Sequence, residues 1–251
     1  MNKTILTTLL GSVFLISCGG GAKRPNQDPQ GFWQGSALDN RIGWGMVQPN
    51  GRYLLILSGP NGNHTLETVQ TGTMTTVDGS RWLIPDVLTV TQRGFPFSSE
   101  GDSGGAAEFM TRSSWTGRID GSLPLVEYQL AYVNDGVQTS SLSALAGTYN
   151  SWPIAASAAS SSNMTIDANG AIAGNYFAGC TYTGQAATTS QANVFNITLQ
   201  FVGTCYMMNS TVTGMLYHDA AQSRIYAAAV NAVRTPSFNI TGSFMFVGPK
   251  N

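Results

Sequence analysis

Charge is scarce in this chain: Asp, Glu, Lys and Arg together make up 10% of its 251 residues, where soluble domains carry about 25%. Its polar surface must therefore come from Ser, Thr, Asn, Gln and backbone, which suits turns and sheet faces. Histidine is scarcer still, with two residues, so a transition-metal site has few ligands to draw on. A formal net charge of −1 leaves no basic excess to neutralise phosphates, which argues against nucleic acid as a partner. Beyond Cys18 no apolar run approaches the roughly 20 residues of a spanning helix, and hardly any stretch keeps helical spacing for three turns. The glycines are scattered at strand ends and not gathered into a phosphate loop, and no carboxylate pair announces a glycosidase.

The N-terminus is the first positive signal. Lys3 precedes a short apolar segment, Ile5 to Ile16, interrupted by Thr7, Thr8, Gly11 and Ser12, which is the layout of a secretory leader. It ends in Leu15-Ile16-Ser17-Cys18. With a small residue before a cysteine, this stretch resembles the lipobox of bacterial lipoproteins. The resemblance implies that residues 1–17 are removed and that Cys18 is acylated, anchoring the chain by lipid alone. It also implies the outer membrane, on its periplasmic face or at the cell surface, because Gly19 and not Asp follows the cysteine. Residues 18–30, with three glycines, two prolines and mixed charge, are expected to be a flexible tether.

Cysteine use fits that address. With Cys18 taken by lipid, Cys180 and Cys205 remain; they can pair in an oxidising compartment or stand apart as two buried thiols. A bridge closing that loop would contribute about 3 kcal/mol in the chain-entropy picture.

From Gly31 onward the pattern is all-β. Asn50-Gly51, Asn61-Gly62, Asp78-Gly79, Asp120-Gly121, Asp135-Gly136 and Asn169-Gly170 are pairs that accept the positive φ of tight hairpins. Between such turns, Phe195, Ile197, Leu199 and Phe201 alternate with Asn196, Thr198 and Gln200, and Tyr128, Leu130 and Tyr132 with Glu127, Gln129 and Ala131; Phe238, Ile240, Phe244 and Phe246 alternate in the same way. One face of each strand is apolar and one polar. Tyr53 to Leu57 is apolar throughout, as expected of a strand covered on both faces.

The chain also repeats itself. Gly31-Phe32-Trp33 opens one half and Gly147-Thr148-Tyr149 the other, and each opening leads to a strand and an Asn-Gly turn, as a diverged tandem duplication would give. The expected architecture is two tandem small antiparallel barrels or strongly bent sheets, calycin-like: 31–138 as a first β domain, 139–146 as a linker, and 147–251 as a second. Closure removes edges that a low-charge surface could not protect. The low-complexity stretch from Ala155 to Ser162 is expected to be a loop.

Candidate chemistry is sparse. Gly101-Asp102-Ser103-Gly104-Gly105 resembles the nucleophile motif of chymotrypsin-like serine proteases, whose mechanism also needs a base and an orienting acid. Only His64 precedes Ser103, with Asp78 or Asp86 as orienters and too little chain between to build that fold. The stretch reads more simply as a glycine-rich connection on the first barrel. His218 is expected in a solvated hairpin turn. Trp33, Trp44, Trp82, Trp115 and Trp152 are expected to plug cores and barrel ends, though aromatics can also line a site. With no catalytic set, cofactor or metal site assembled, the sequence points to a non-enzymatic envelope protein that binds a protein partner or supports a surface assembly. The alternative is a barrel holding a small apolar ligand against Tyr128, Tyr132, Phe195, Phe201, Phe244 and Phe246.

Overall fold

The computed structural model describes residues 27–60, 64–91, 98–120, 126–133, 141–153, 162–176, 179–203, 209–231 and 243–251. Among them it is almost wholly β. The first half holds nine strands: β1 (Gly31–Ala37), β2 (Ile42–Val47), β3 (Arg52–Ser58), β4 (Leu66–Thr73), β5 (Thr75–Asp78), β6 (Arg81–Thr91), β7 (Ser98–Met110), β8 (Ser114–Asp120) and β9 (Val126–Tyr132). A one-turn helix, α1 (Leu142–Leu145), leads into β10 (Gly147–Asn150), β11 (Asn163–Ile166), β12 (Ala171–Tyr176), β13 (Cys180–Thr188), β14 (Val194–Gly203), β15 (Thr211–Asp219), β16 (Arg224–Val230) and β17 (Ser243–Pro249).

Each half is one antiparallel meander that comes back on itself. In the first, β1 pairs both β2 and β9, and β4 pairs β6, with β5 added as an extra strand beside β6. In the second, β10 to β17 pair in strict order and Tyr149 bridges to Lys250, so the sheet is a nearly closed barrel. The two expected barrels are thus present, and the turns follow their sequence signals: Gly51, Gly79 and Gly170 all take positive φ, at 79°, 47° and 85°. The pairs at 61–62 and 135–136, Gly121 of the pair at 120–121, the 155–161 stretch, and Phe238 and Ile240 lie outside the described residues.

The repeated openings behave alike. The Trp33 indole donates to the Pro29 carbonyl at 3.0 Å, and the Tyr149 hydroxyl to the Leu145 carbonyl at 2.7 Å, each reaching four residues back. Two expectations change here. Residues 27–30 are not free tether: Gln27 N donates to Gly79 O, Asp28 N to Thr111 Oγ1, and Pro29 is buried. The 139–146 linker likewise contains α1, capped by Ser141, with Leu145 fully buried. Both segments are lead-ins that seat an aromatic residue inside a barrel, which is why they cannot be loose.

The barrels share a face. Outward from the first sheet point Phe32, Trp44, Met46, Leu54, Ile56 and Val69, which belong to the same buried cluster as the residues of the second barrel. Phe32 stacks on Tyr217 with ring centres 3.8 Å apart, and Trp44 leans on Tyr226 and Trp152. Gln48 Nε2 donates to Asn196 Oδ1 at 2.7 Å across the same seam. This explains two kinds of strand. In β14 exposed and buried residues alternate, whereas β3, β16 and β17 are buried on nearly every residue because one face lines a barrel and the other meets its neighbour. The aromatic content follows: Trp33, Trp44 and Trp115 are fully buried and Trp82 and Trp152 partly so.

Candidate functional site

The outer wall of the first barrel carries a trough of about 770 Å³ that crosses the strands and does not run along them. Its walls are two hydrogen-bonded rows. Ser36 stands opposite Gln129, Gln129 opposite Thr116, Thr116 opposite Glu108 and Glu108 opposite Arg81. Two residues along, Glu127 stands opposite Arg118, Arg118 opposite Ala106, and Ala106 opposite Leu83. Because side chains alternate across a strand, both rows face solvent, while the row between them (Ala37, Tyr128, Gly117, Ala107, Trp82) points into the barrel. Five strands at the usual spacing make the trough roughly 20 Å long.

Its chemistry is mixed. Leu38, Val77 and Leu83 line it with 50%, 54% and 51% of their surface exposed, Leu38 at the β1 end and Val77 and Leu83 at the β6 end. Arg81 faces Glu108 and Arg118 faces Glu127 across adjacent strands, an arrangement of opposite charges that supports strand register and leaves the trough close to neutral. Leu83 sits within Trp82-Leu83-Ile84, where its neighbours point inward. In sequence the three read as one apolar run, which hides that the middle residue is exposed. The signal that could have found it is register: the Glu127 and Gln129 face continues across the sheet to Leu83.

Beneath the trough the barrel interior is aromatic, with Trp33, Phe109, Trp115 and Tyr128 packed edge-on or stacked. The hydroxyls of Tyr53 and Tyr128 and the indole N–H groups of Trp82 and Trp115 are buried with no hydrogen-bond partner. Burial raises the Tyr53 hydroxyl well above its ordinary value, and the neighbouring Tyr128 adds to this. Burial likewise raises Tyr128; the adjacent Trp115 indole opposes the rise, although the two fall short of hydrogen-bond geometry. A Cβ at Gly117 would collide with the Tyr128 ring, so glycine is required there for Tyr128 to lie flat against the wall.

The residues singled out from sequence are scattered. Cys18 and Cys205 lie outside the described residues. Cys180 is buried at the start of β13, opposite Gly203. Ser103 is not in a connection: Gly101 to Gly105 lies within the long strand β7, where Ser103 pairs with Val87. Alternation of small residues along a bent strand looks like a loop when only composition is read. His64 packs edge-on against Trp152, with ring centres 4.3 Å apart, beside the second half of the chain. Asp78 ends β5 and Asp86 lies in β6.

His218 departs from its expected turn. It is the penultimate residue of β15, 6% exposed and opposite Ile225, and the turn comes after Asp219. Burial lowers its pKa, Lys250 lowers it further, and Asp219 works in the other direction. Phe195, Phe201, Phe244 and Phe246 are fully buried, with Phe201 and Phe244 interlocked with Tyr176 and Tyr182 in a filled core. Phe201, Phe244 and Phe246 meet ring to ring, and Phe195 belongs to the same buried cluster. No group of three or more His, Cys, Asp or Glu residues gathers among the described residues.

The chain matches no protein-family model, no curated protein and no solved structure.

Proposed function

We propose that this is a lipid-anchored, non-enzymatic protein of the bacterial cell envelope, held at the outer membrane through Cys18, that works by binding a protein partner along the trough of its first barrel. The observation that carries the reading is the exposure of Leu38 and Leu83 at the two ends of one depression whose walls carry opposed charges. Exposed apolar side chains rimmed by polar ones are the composition of a protein-binding patch. A small apolar ligand would favour an enclosed cavity, and the second barrel spends its interior on its own rings.

The disulfide belongs to the same reading. Gly203 lies directly opposite Cys180, and Cys205 follows Gly203 by two residues in the sequence. An intact mass two hydrogens below that of the reduced chain is the expected mark of the Cys180–Cys205 bridge, and two reactive thiols in unreduced protein would refute it.

The binding reading is tested by placing a photo-reactive residue in the trough, Leu83→benzoylphenylalanine, with Ala221→benzoylphenylalanine in the β15–β16 turn as the control. Irradiation of cells should give a discrete heavier species from position 83 and none from 221. No adduct at 83, together with a bound small molecule in native mass spectrometry, would replace this reading with the ligand-carrier one.

A further inference from the structure

The point where the chain joins the first barrel is fixed by three hydrogen bonds. Gln27 N donates to Gly79 O at the tip of the β5–β6 hairpin, Asp28 N to Thr111 Oγ1 in the β7–β8 turn, and Thr111 N back to Gln27 Oε1, at 2.8, 2.8 and 2.9 Å. The two hairpin tips are themselves tied, since Phe109 N donates to Ser80 O at 2.9 Å. Each tip carries an exposed large apolar side chain: Val77 at 54% and Met110 at 60%, the latter opening the turn in which Arg112 takes a φ of 50°. Nothing in the fold asks for Met110 there. It ends a strand whose inward residues, Ala107 and Phe109, are already buried.

We propose that this end of the first barrel docks on the bilayer, with Val77 and Met110 entering the interfacial layer beside the lipid on Cys18. The inference rests on the lipid-anchor reading above. Chain length names the occupant. Cys18 lies nine positions before Gln27; nine residue steps span about 30 Å at full extension, and a random coil of that length averages about 17 Å. A seven-residue strand such as β1 is itself about 23 Å long. The lipid is therefore held closer to these tips than to the far end of the barrel. Arg81 and Arg112 flank the apolar pair and can lay their stems along the surface with their charges at headgroup level. Exposed Asp28 and Glu108 stand at the same end, so apolar insertion and not a basic field makes the contact.

The test uses the full lipidated protein in vesicles of phosphatidylethanolamine and phosphatidylglycerol, with Met110→benzoylphenylalanine, Val77→benzoylphenylalanine and, as control, Ala221→benzoylphenylalanine. Irradiation followed by intact mass should show acyl mass on every variant, plus one phospholipid on the first two and none on the third. Acylated protein with no phospholipid adduct at either tip overturns the docked orientation while leaving the anchor intact. A chain that carries no acyl mass at Cys18 brings down the anchor reading, and the docking with it.

Discussion

The two barrels share a plan and differ in how they finish it. Inside the second, each of three buried tyrosines has a use for its hydroxyl: Tyr149 donates to Leu145 O, Tyr182 donates to Asn163 O, and Tyr176 accepts from Met245 N. Inside the first, the hydroxyls of Tyr53 and Tyr128 are buried without partners, and the wall outside them carries exposed leucines and a valine. A buried polar group left unpaired costs about 1–3 kcal/mol. Both halves leave some buried polar groups unpaired, Tyr226 and Ser243 in the second among them, so the contrast concerns the phenols that point into each barrel: those of the second are paired and those of the first are not.

The largest effect tests whether the halves can be compared as separate units at all. Phe32 stacks on Tyr217 across the seam, so Phe32→Ala should cost about 3–5 kcal/mol and still unfold in one denaturant transition that reports both barrels. Two resolved transitions, with the second barrel unmoved, would show that the seam is incidental.

A sharper contrast comes from single hydroxyls. Tyr149→Phe leaves the Leu145 carbonyl without its buried donor and should cost about 1–3 kcal/mol, while Tyr53→Phe and Tyr128→Phe delete unpaired groups and should be neutral or stabilising by up to about 1 kcal/mol. Equal losses at all three positions, measured by urea midpoints, would erase the distinction between the barrels. The same burial raises the Tyr149 phenol to about 12.

The smallest effect is a pH dependence confined to the second barrel. The pKa of His218 is lowered on folding, so as pH falls through about 6.5 the unfolded chain takes up the proton first and stability declines toward the folded pKa. His218→Asn should flatten that part of the stability profile. A decline of unchanged size in the variant would place its origin elsewhere.

Much of this architecture is legible in the residues. Alternation in Phe195 to Phe201 marks β14 and its buried face, and the glycines of Asn50-Gly51, Asp78-Gly79 and Asn169-Gly170 mark turns, because both signals are local: a pleat sets the first and a positive φ the second. The site was not legible. Leu83 lies among apolar neighbours, Val77 precedes a turn, and Leu38 follows a strand; no spacing in the chain relates them. They line one trough only because the strands between them pair in register. His218 and Ser103 read as turn and loop residues for a related reason, since a polar letter among small residues carries no record of whether the sheet continues past it.

By itself the sequence determined the β class, the duplicated plan, the turns, and the doubly covered character of Tyr53 to Leu57, all properties written within a few residues of one another. Only the tertiary structure decided that the barrels share a face, which hydroxyls find partners, and which apolar side chains remain outside. Those outcomes depend on pairings between residues far apart in the chain, and pairing is fixed by closure of the sheets and not by any local preference.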